Sequence, residues 1–178
     1  MLRLACDTDP MKDVADRIAA GAQALTAHGP AIDAGEPWPL STAYGTEPEA
    51  DWGPKEVLAH VAEMIPYWLA EIERVVGGGE GPVPFGRVAS DTNRIDRIGR
   101  DRVLPAPELL KRIEASAGVA AQRLRELDDI AKRRVGLHPR LGQLSVEEIA
   151  ERFVAAHLVD HDEQLRSILE GRAAGRST

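Results

Sequence analysis

Apolar residues recur at three- and four-residue intervals in four stretches of the chain, and each stretch is bounded by residues that start or stop helices. In the first, Met11, Val14, Ile18, Ala22 and Leu25 share a face behind Asp9 as cap and Pro10, whose missing N–H costs nothing at a first helical position. The second opens at Pro54 behind Gly53 and ends at the glycines 77–79. It aligns Val57, Leu58, Val61, Ile65, Trp68, Leu69, Ile72 and Val75. Pro66 lies inside this stretch and, by deleting one i→i−4 bond, predicts a kink near Ala62–Pro66. The third starts around Pro105–Glu108 and carries Leu109, Ile113, Ala117, Ala120, Leu124 and Leu127. The fourth begins with Ser145 and Glu148, spaced for a reciprocal capping box, with Leu144 and Ile149 as a hydrophobic staple. It then gathers Val146, Ala150, Phe153, Val154, Leu165 and Ile168 on one face, and Gly171 is the expected stop.

The connections are long. Residues 29–53 hold Pro30, Pro37, Pro39 and Pro48 with Trp38, Tyr44 and Trp52 among them, which predicts an ordered loop packed on the body. Residues 77–104 form a second connection, with a short helix near Thr92–Arg97, and residues 128–143 form a third. No segment of useful length has the two-residue period of a strand. The expected fold class is therefore all-α, a four-helix bundle with long inter-helix loops that leave the helix order open. With 178 residues and no break in composition, one domain over residues 1–178 is expected.

A formal net charge of −7 argues against a phosphate-binding surface, so no nucleic-acid partner is expected. The single cysteine, Cys6, excludes an internal disulfide and fits a reducing compartment. Only five residues precede it, too few for a lipoprotein leader, and no apolar run approaches the ~18 residues of a membrane span. A cytoplasmic protein with no membrane partner is the expectation, and a homodimer is a possible assembly.

The chemistry concentrates in histidines. His157 and His161 fall in the middle of the fourth helix's apolar face, where an unpaired imidazole costs roughly 1–3 kcal/mol. Their spacing sets the rings about 5–6 Å apart on one side of a helix, so they can grip one ion together. His60 lies at the edge of the second helix's stripe, next to Met64 and roughly 9 Å from that helix's start. In an antiparallel pair it comes level with the other two. Three histidines would hold a metal and leave a position open, as catalytic rather than structural sites do. The competing reading is a polar core network closed by Gln164, Asp160 or Met64. His28 and His138, at a helix end and in a loop, are expected to face solvent. Lys132, Arg133, Arg134 and Arg140 form either a solvated basic loop or an anion-binding rim above a site.

Trp52-Gly53-Pro54-Lys55-Glu56-Val57-Leu58-Ala59-His60, then Trp68, and much later His157, His161 and Gln164, resemble the DinB/YfiT-like superfamily of metalloenzymes. The resemblance covers nearly the whole chain. It implies a four-helix bundle in which His60, His157 and His161 ligate a divalent metal ion, zinc or nickel first. It also implies activities such as transfer of low-molecular-weight thiols, bacillithiol or mycothiol, and mycothiol-dependent isomerisation of maleylpyruvate. The chain departs from the family pattern at Gly53, where a serine cap is usual, and at Glu163, where glycine often precedes the glutamine.

The resulting expectation is a metal-dependent enzyme that activates a low-molecular-weight thiol for transfer to a small electrophile. Glu63 and Asp160, one turn beyond His60 and His157, could accept the proton or orient a ligand imidazole, or serve only as surface carboxylates. The alternatives are a metal-dependent hydrolase, with water in place of the thiol, and a non-catalytic module that binds metal or a small ligand.

Overall fold

The computed structural model describes residues 9–42 and 51–176, and within them the four periodic stretches are all helices. Helix α1 spans Pro10–Ala27, with the Asp9 carboxylate accepting from the Met11 N–H at 3.1 Å. A short α2, Gly29–Gly35, occupies the start of the segment expected to be loop. Helix α3 spans Pro54–Val76 and runs without interruption through Pro66. Helix α4 spans Thr92–Asp101, α5 spans Ala106–Arg125 and α6 is one turn, Asp129–Lys132.

The last long helix is composite. Its N-terminal piece α7, Val146–Ala150, carries the expected capping box: Ser145 Oγ accepts from the Glu148 N–H at 3.1 Å, and Glu148 accepts from the Ser145 N–H at 2.7 Å. A π-helical turn, Glu151–Ala155, follows, and α8 continues from Ala156 to Arg176. The extra residue of a π turn shifts the phase of everything after it. It allows Phe153, Val154 and Ala155 to be buried in succession while Leu158, His161 and Leu165 still face the core. Gly171 does not stop the helix; it sits exposed within α8.

The core joins α1, α3, α5 and the composite α7–α8. Helix α1 packs chiefly against α5 and α8, and α3 packs against α5 and against α7–α8. The first two long helices, α1 and α3, therefore lie diagonally across the bundle. This brings His60 on α3 directly opposite His157 and His161 on α8. Trp38 and Trp52 bury their rings against the body as expected. Tyr44 and Cys6 lie outside the described residues.

A small three-stranded sheet, in strands too short to carry a period, accompanies the helices. Strand β1, Val83–Pro84, pairs in parallel with β2, Val135–His138, through Val83 opposite Gly136; β2 pairs antiparallel with β3, Gly142–Ser145, from Val135–Ser145 to His138–Gly142. Two to four residues per strand are too few to show a period. Gly142, at φ +77°, supplies the left-handed backbone that turns β2 into β3. Gly136 brings the sheet close to the bundle, since a side chain there would strike the Phe85 ring. The sheet thus delivers the loop of Pro139–Leu141 to the mouth of the histidine cluster.

Candidate metal centre

His60, His157 and His161 converge, with one ligand nitrogen from each lying within 4.8 Å of the others. Ring centroids are 4.9 Å apart for His60 and His161, 5.4 Å for His157 and His161, and 6.0 Å for His60 and His157. His60 and His161 are 4 % exposed, whereas His157 is half-buried.

The hydrogen-bond accounting separates the two readings of this cluster. Nδ1 of His161 lies 2.9 Å from Gln164 Oε1, an acceptor only, so the ring donates from Nδ1 and leaves the Nε2 lone pair free. That Nε2 and both ring nitrogens of His60 are buried with no hydrogen-bond partner among the described residues. A closed polar network would have satisfied them, because each orphaned polar group costs about 1–3 kcal/mol. Burial, followed by the charges of the neighbouring histidines and Arg94, holds the His60 pKa well below its usual range. Burial likewise brings His161 down to about 4. Both rings are neutral at pH 7 and so present lone pairs. Convergent, neutral, unpartnered imidazole nitrogens fit a divalent cation, and the triad could hold one.

The other sequence candidates fall differently. Glu63 is buried, and both of its oxygens are engaged by the Arg87 guanidinium, one at 2.7 Å. Asp160 is exposed on the outer side of α8. Glu163, the departure from the family pattern, is also exposed and fills no space near the site. His28 does not simply face solvent: its Nε2 lies 2.8 Å from Asp162 Oδ1, tying the end of α1 to α8. His138, also expected in solvent, is 6 % exposed and stacked on Phe153 at 5.4 Å between ring centroids.

A cavity of about 340 Å³ opens onto His60 and His157. Trp68 and Phe153, stacked at 4.1 Å, form an apolar wall, and Arg87, Arg94, Arg140 and His138 supply the polar one. No aspartate or glutamate lines it among the described residues. Sequence reading missed most of this wall. Arg140 was visible as part of a basic loop, but Arg94 on α4 and Phe153 on the π turn carry no local mark of a site.

The α3 end of the site is built by Glu56, one turn before His60. Its fully buried carboxylate accepts from the N–H groups of Ser41 at 2.8 Å and Gly53 at 3.2 Å and pairs with Arg102 at 3.1 Å. Gly53 has no side chain to return the bond, so Glu56 alone caps α3. Trp52 packs edge-on against His60 at 5.3 Å.

No helix among the described residues is long and apolar enough to cross a membrane. No curated protein matches the chain. Among solved structures it is similar to one described as "YfiT from Bacillus subtilis is a probable metal-dependent hydrolase with an unusual four-helix bundle topology". The TM-score is 0.69 over 98 % of this chain and 93 % of that one; at 16 % identity the likeness speaks for the fold. The family model of the DinB superfamily matches residues 22–165, from within α1 to past the last histidine. The bundle, its diagonal helix order and this match over most of the sequence lead to one conclusion: the chain belongs to the DinB superfamily.

Proposed function

We propose that the protein is a metal-dependent enzyme in which His60, His157 and His161 hold a divalent ion, zinc or nickel, and that it transfers a low-molecular-weight thiol to a small electrophile. When bound, such an ion lowers the pKa of a coordinated thiol or water and so supplies a nucleophile at neutral pH. The observation that carries the choice of thiol is the cavity lining, which contains no carboxylate among the described residues. Metal hydrolases of the H-E-x-x-H type set a carboxylate base beside the bound water, and no described carboxylate stands in the cavity for that role. Glu63 is committed to Arg87, and Asp160 lies outside the cavity. Glu63 anchors Arg87 in the cavity wall.

The chain's own residues have separable tasks. Gln164 fixes the His161 ring by accepting from Nδ1. Trp52, packed edge-on against His60, shields that ring from water, and Glu56 holds the helix end from which His60 projects. Hydrolysis is the second reading, favoured by the description of the structurally similar Bacillus subtilis protein.

The test is consumption of mycothiol or bacillithiol in the presence of monobromobimane, with zinc-loaded, nickel-loaded and chelator-treated protein purified without a histidine tag. Metal-dependent turnover that His60→Ala abolishes supports thiol transfer. Consumption at the uncatalysed rate in all samples, with metal-dependent cleavage of ester or amide substrates instead, assigns the site to hydrolysis.

A further inference from the structure

His138 and Arg140 lie outside the triad, and neither is used by the function above. The β2–β3 turn places both at the cavity. Nδ1 of His138 accepts from the backbone N–H groups of Arg140 at 3.2 Å and Leu141 at 3.3 Å. Two donors on one nitrogen require its lone pair, so the ring proton sits on Nε2. No protein group among the described residues accepts that Nε2–H. Burial, aided by Arg140 and Arg152, lowers the His138 pKa and keeps the ring in this neutral donor form.

The cavity's arginines are not equivalent. Arg87 is neutralised by Glu63 and lies 3.7 Å from the Tyr67 ring centroid. Arg94 is buried, donates to the Ala89 carbonyl at 3.0 Å and faces the Trp52 ring. Arg140 is exposed at the rim and makes no ion pair among the described residues. A neutral donor beside a guanidinium without an ion pair, in a cavity with no acidic group among the described residues, selects for an anion. Trp68 and Phe153 give the cavity an apolar wall, against which the edge of a compact apolar body attached to the anion would pack.

We propose that Arg140 and the Nε2–H of His138 form a carboxylate-binding subsite, which seats a small carboxylate with a compact apolar body as the electrophilic substrate. This deepens the function proposed above and rests on it for the reacting end of the molecule. The subsite itself stands on the geometry of the turn.

Benzoate and benzamide, equal in shape and different in charge, are the probes. Titration of the zinc-treated full-length protein, followed by 1H–15N NMR, is expected to show benzoate at least about tenfold tighter, with shifts in the His138 and Arg140 signals. Arg140→Ala is expected to remove the preference and leave benzamide binding within about twofold; Arg140→Lys should recover part of it. His138→Gln, which keeps a donor, should retain more of the preference than His138→Phe. A merely structural role would weaken both probes together. The same titration of His60→Ala separates this proposal from the metal site, since the benzoate preference should survive there even if no ion binds. A preference lost in His60→Ala but kept in Arg140→Ala would put the carboxylate on the ion and overturn the subsite. Equal affinity for the two probes in the parent protein would overturn it too. N-acetylcysteine is expected to show no comparable preference over its amide; an equal one would assign the carboxylate to the thiol rather than the electrophile, against the proposal.

Discussion

Replacing Glu56 by alanine should unfold the protein more readily than any other single change near the histidines. Its carboxylate is fully buried and satisfies two backbone N–H groups, those of Ser41 and Gly53, while neutralising Arg102, itself largely buried. Alanine would take the Glu56 carboxylate from Arg102, which keeps its bond to the Ser41 carbonyl, and leave the Ser41 and Gly53 N–H groups without this acceptor. Breaking a buried pair by removing one partner costs about 3–5 kcal/mol, a large part of the roughly 5–15 kcal/mol that stabilises a typical domain. For a chain of this size each kcal/mol is worth roughly 2–4 °C, so Tm should fall by about 6–20 °C. Glu56→Gln keeps an acceptor oxygen for the N–H groups and should cost less, about 1–2 kcal/mol. Urea unfolding monitored by far-UV circular dichroism measures both. A cycle with Arg102→Leu should yield a coupling of about 1–3 kcal/mol. A loss below about 1 kcal/mol for Glu56→Ala, or strict additivity with Arg102→Leu, would refute the idea that this carboxylate organises the start of α3.

Three further outcomes are expected. Chelation should lower Tm yet leave far-UV helicity in place, because the apolar core spans all four long helices without relying on the histidines; loss of helical signal on adding EDTA at room temperature would make the ion structural. In metal-free protein the depressed His161 pKa means that the unfolded chain takes up the proton first: the contribution is complete above about pH 6.5 and is lost as pH falls toward about 4. It amounts to about 3 kcal/mol, and a urea series between pH 7 and pH 4.5 should show a slope that His161→Phe reduces; equal slopes would contradict it. Gly21→Ala sets a new Cβ 2.8 Å from Leu158 Cβ, forcing α1 away from α8, and should cost about 1–3 kcal/mol in the same assay, whereas an unchanged urea midpoint would show that the helices separate freely.

How much of this was legible in the sequence follows the range of each interaction. The four helices and their starts could be read because Asp9, Ser145 and Glu148 act within a few residues of themselves. The histidine triad could be read as a constellation because two members share one helical face and the third lies on a partner helix. The diagonal helix order could not, since connections as long as 77–104 permit several. The sheet escaped because its strands are too short for a period, and it was the sheet that carried His138 from an apparent loop into the cavity. The π turn escaped because one extra residue barely disturbs the apolar spacing around Phe153. Gly171 misled because a glycine on an exposed helix face costs only about 1 kcal/mol, too little to end a helix held along its opposite face by Leu165.

Whether three histidines from two facing helices form one metal site is decided by the metal content of tag-free protein and its histidine variants at pH 7.5 after zinc loading and desalting. The parent, His28→Ala and His138→Ala should each retain about one equivalent per chain, while His60→Ala, His157→Ala and His161→Ala should each lose most of it. A His157→Ala/His161→Ala double variant that still holds a full equivalent, or a parent that holds none, would contradict the site.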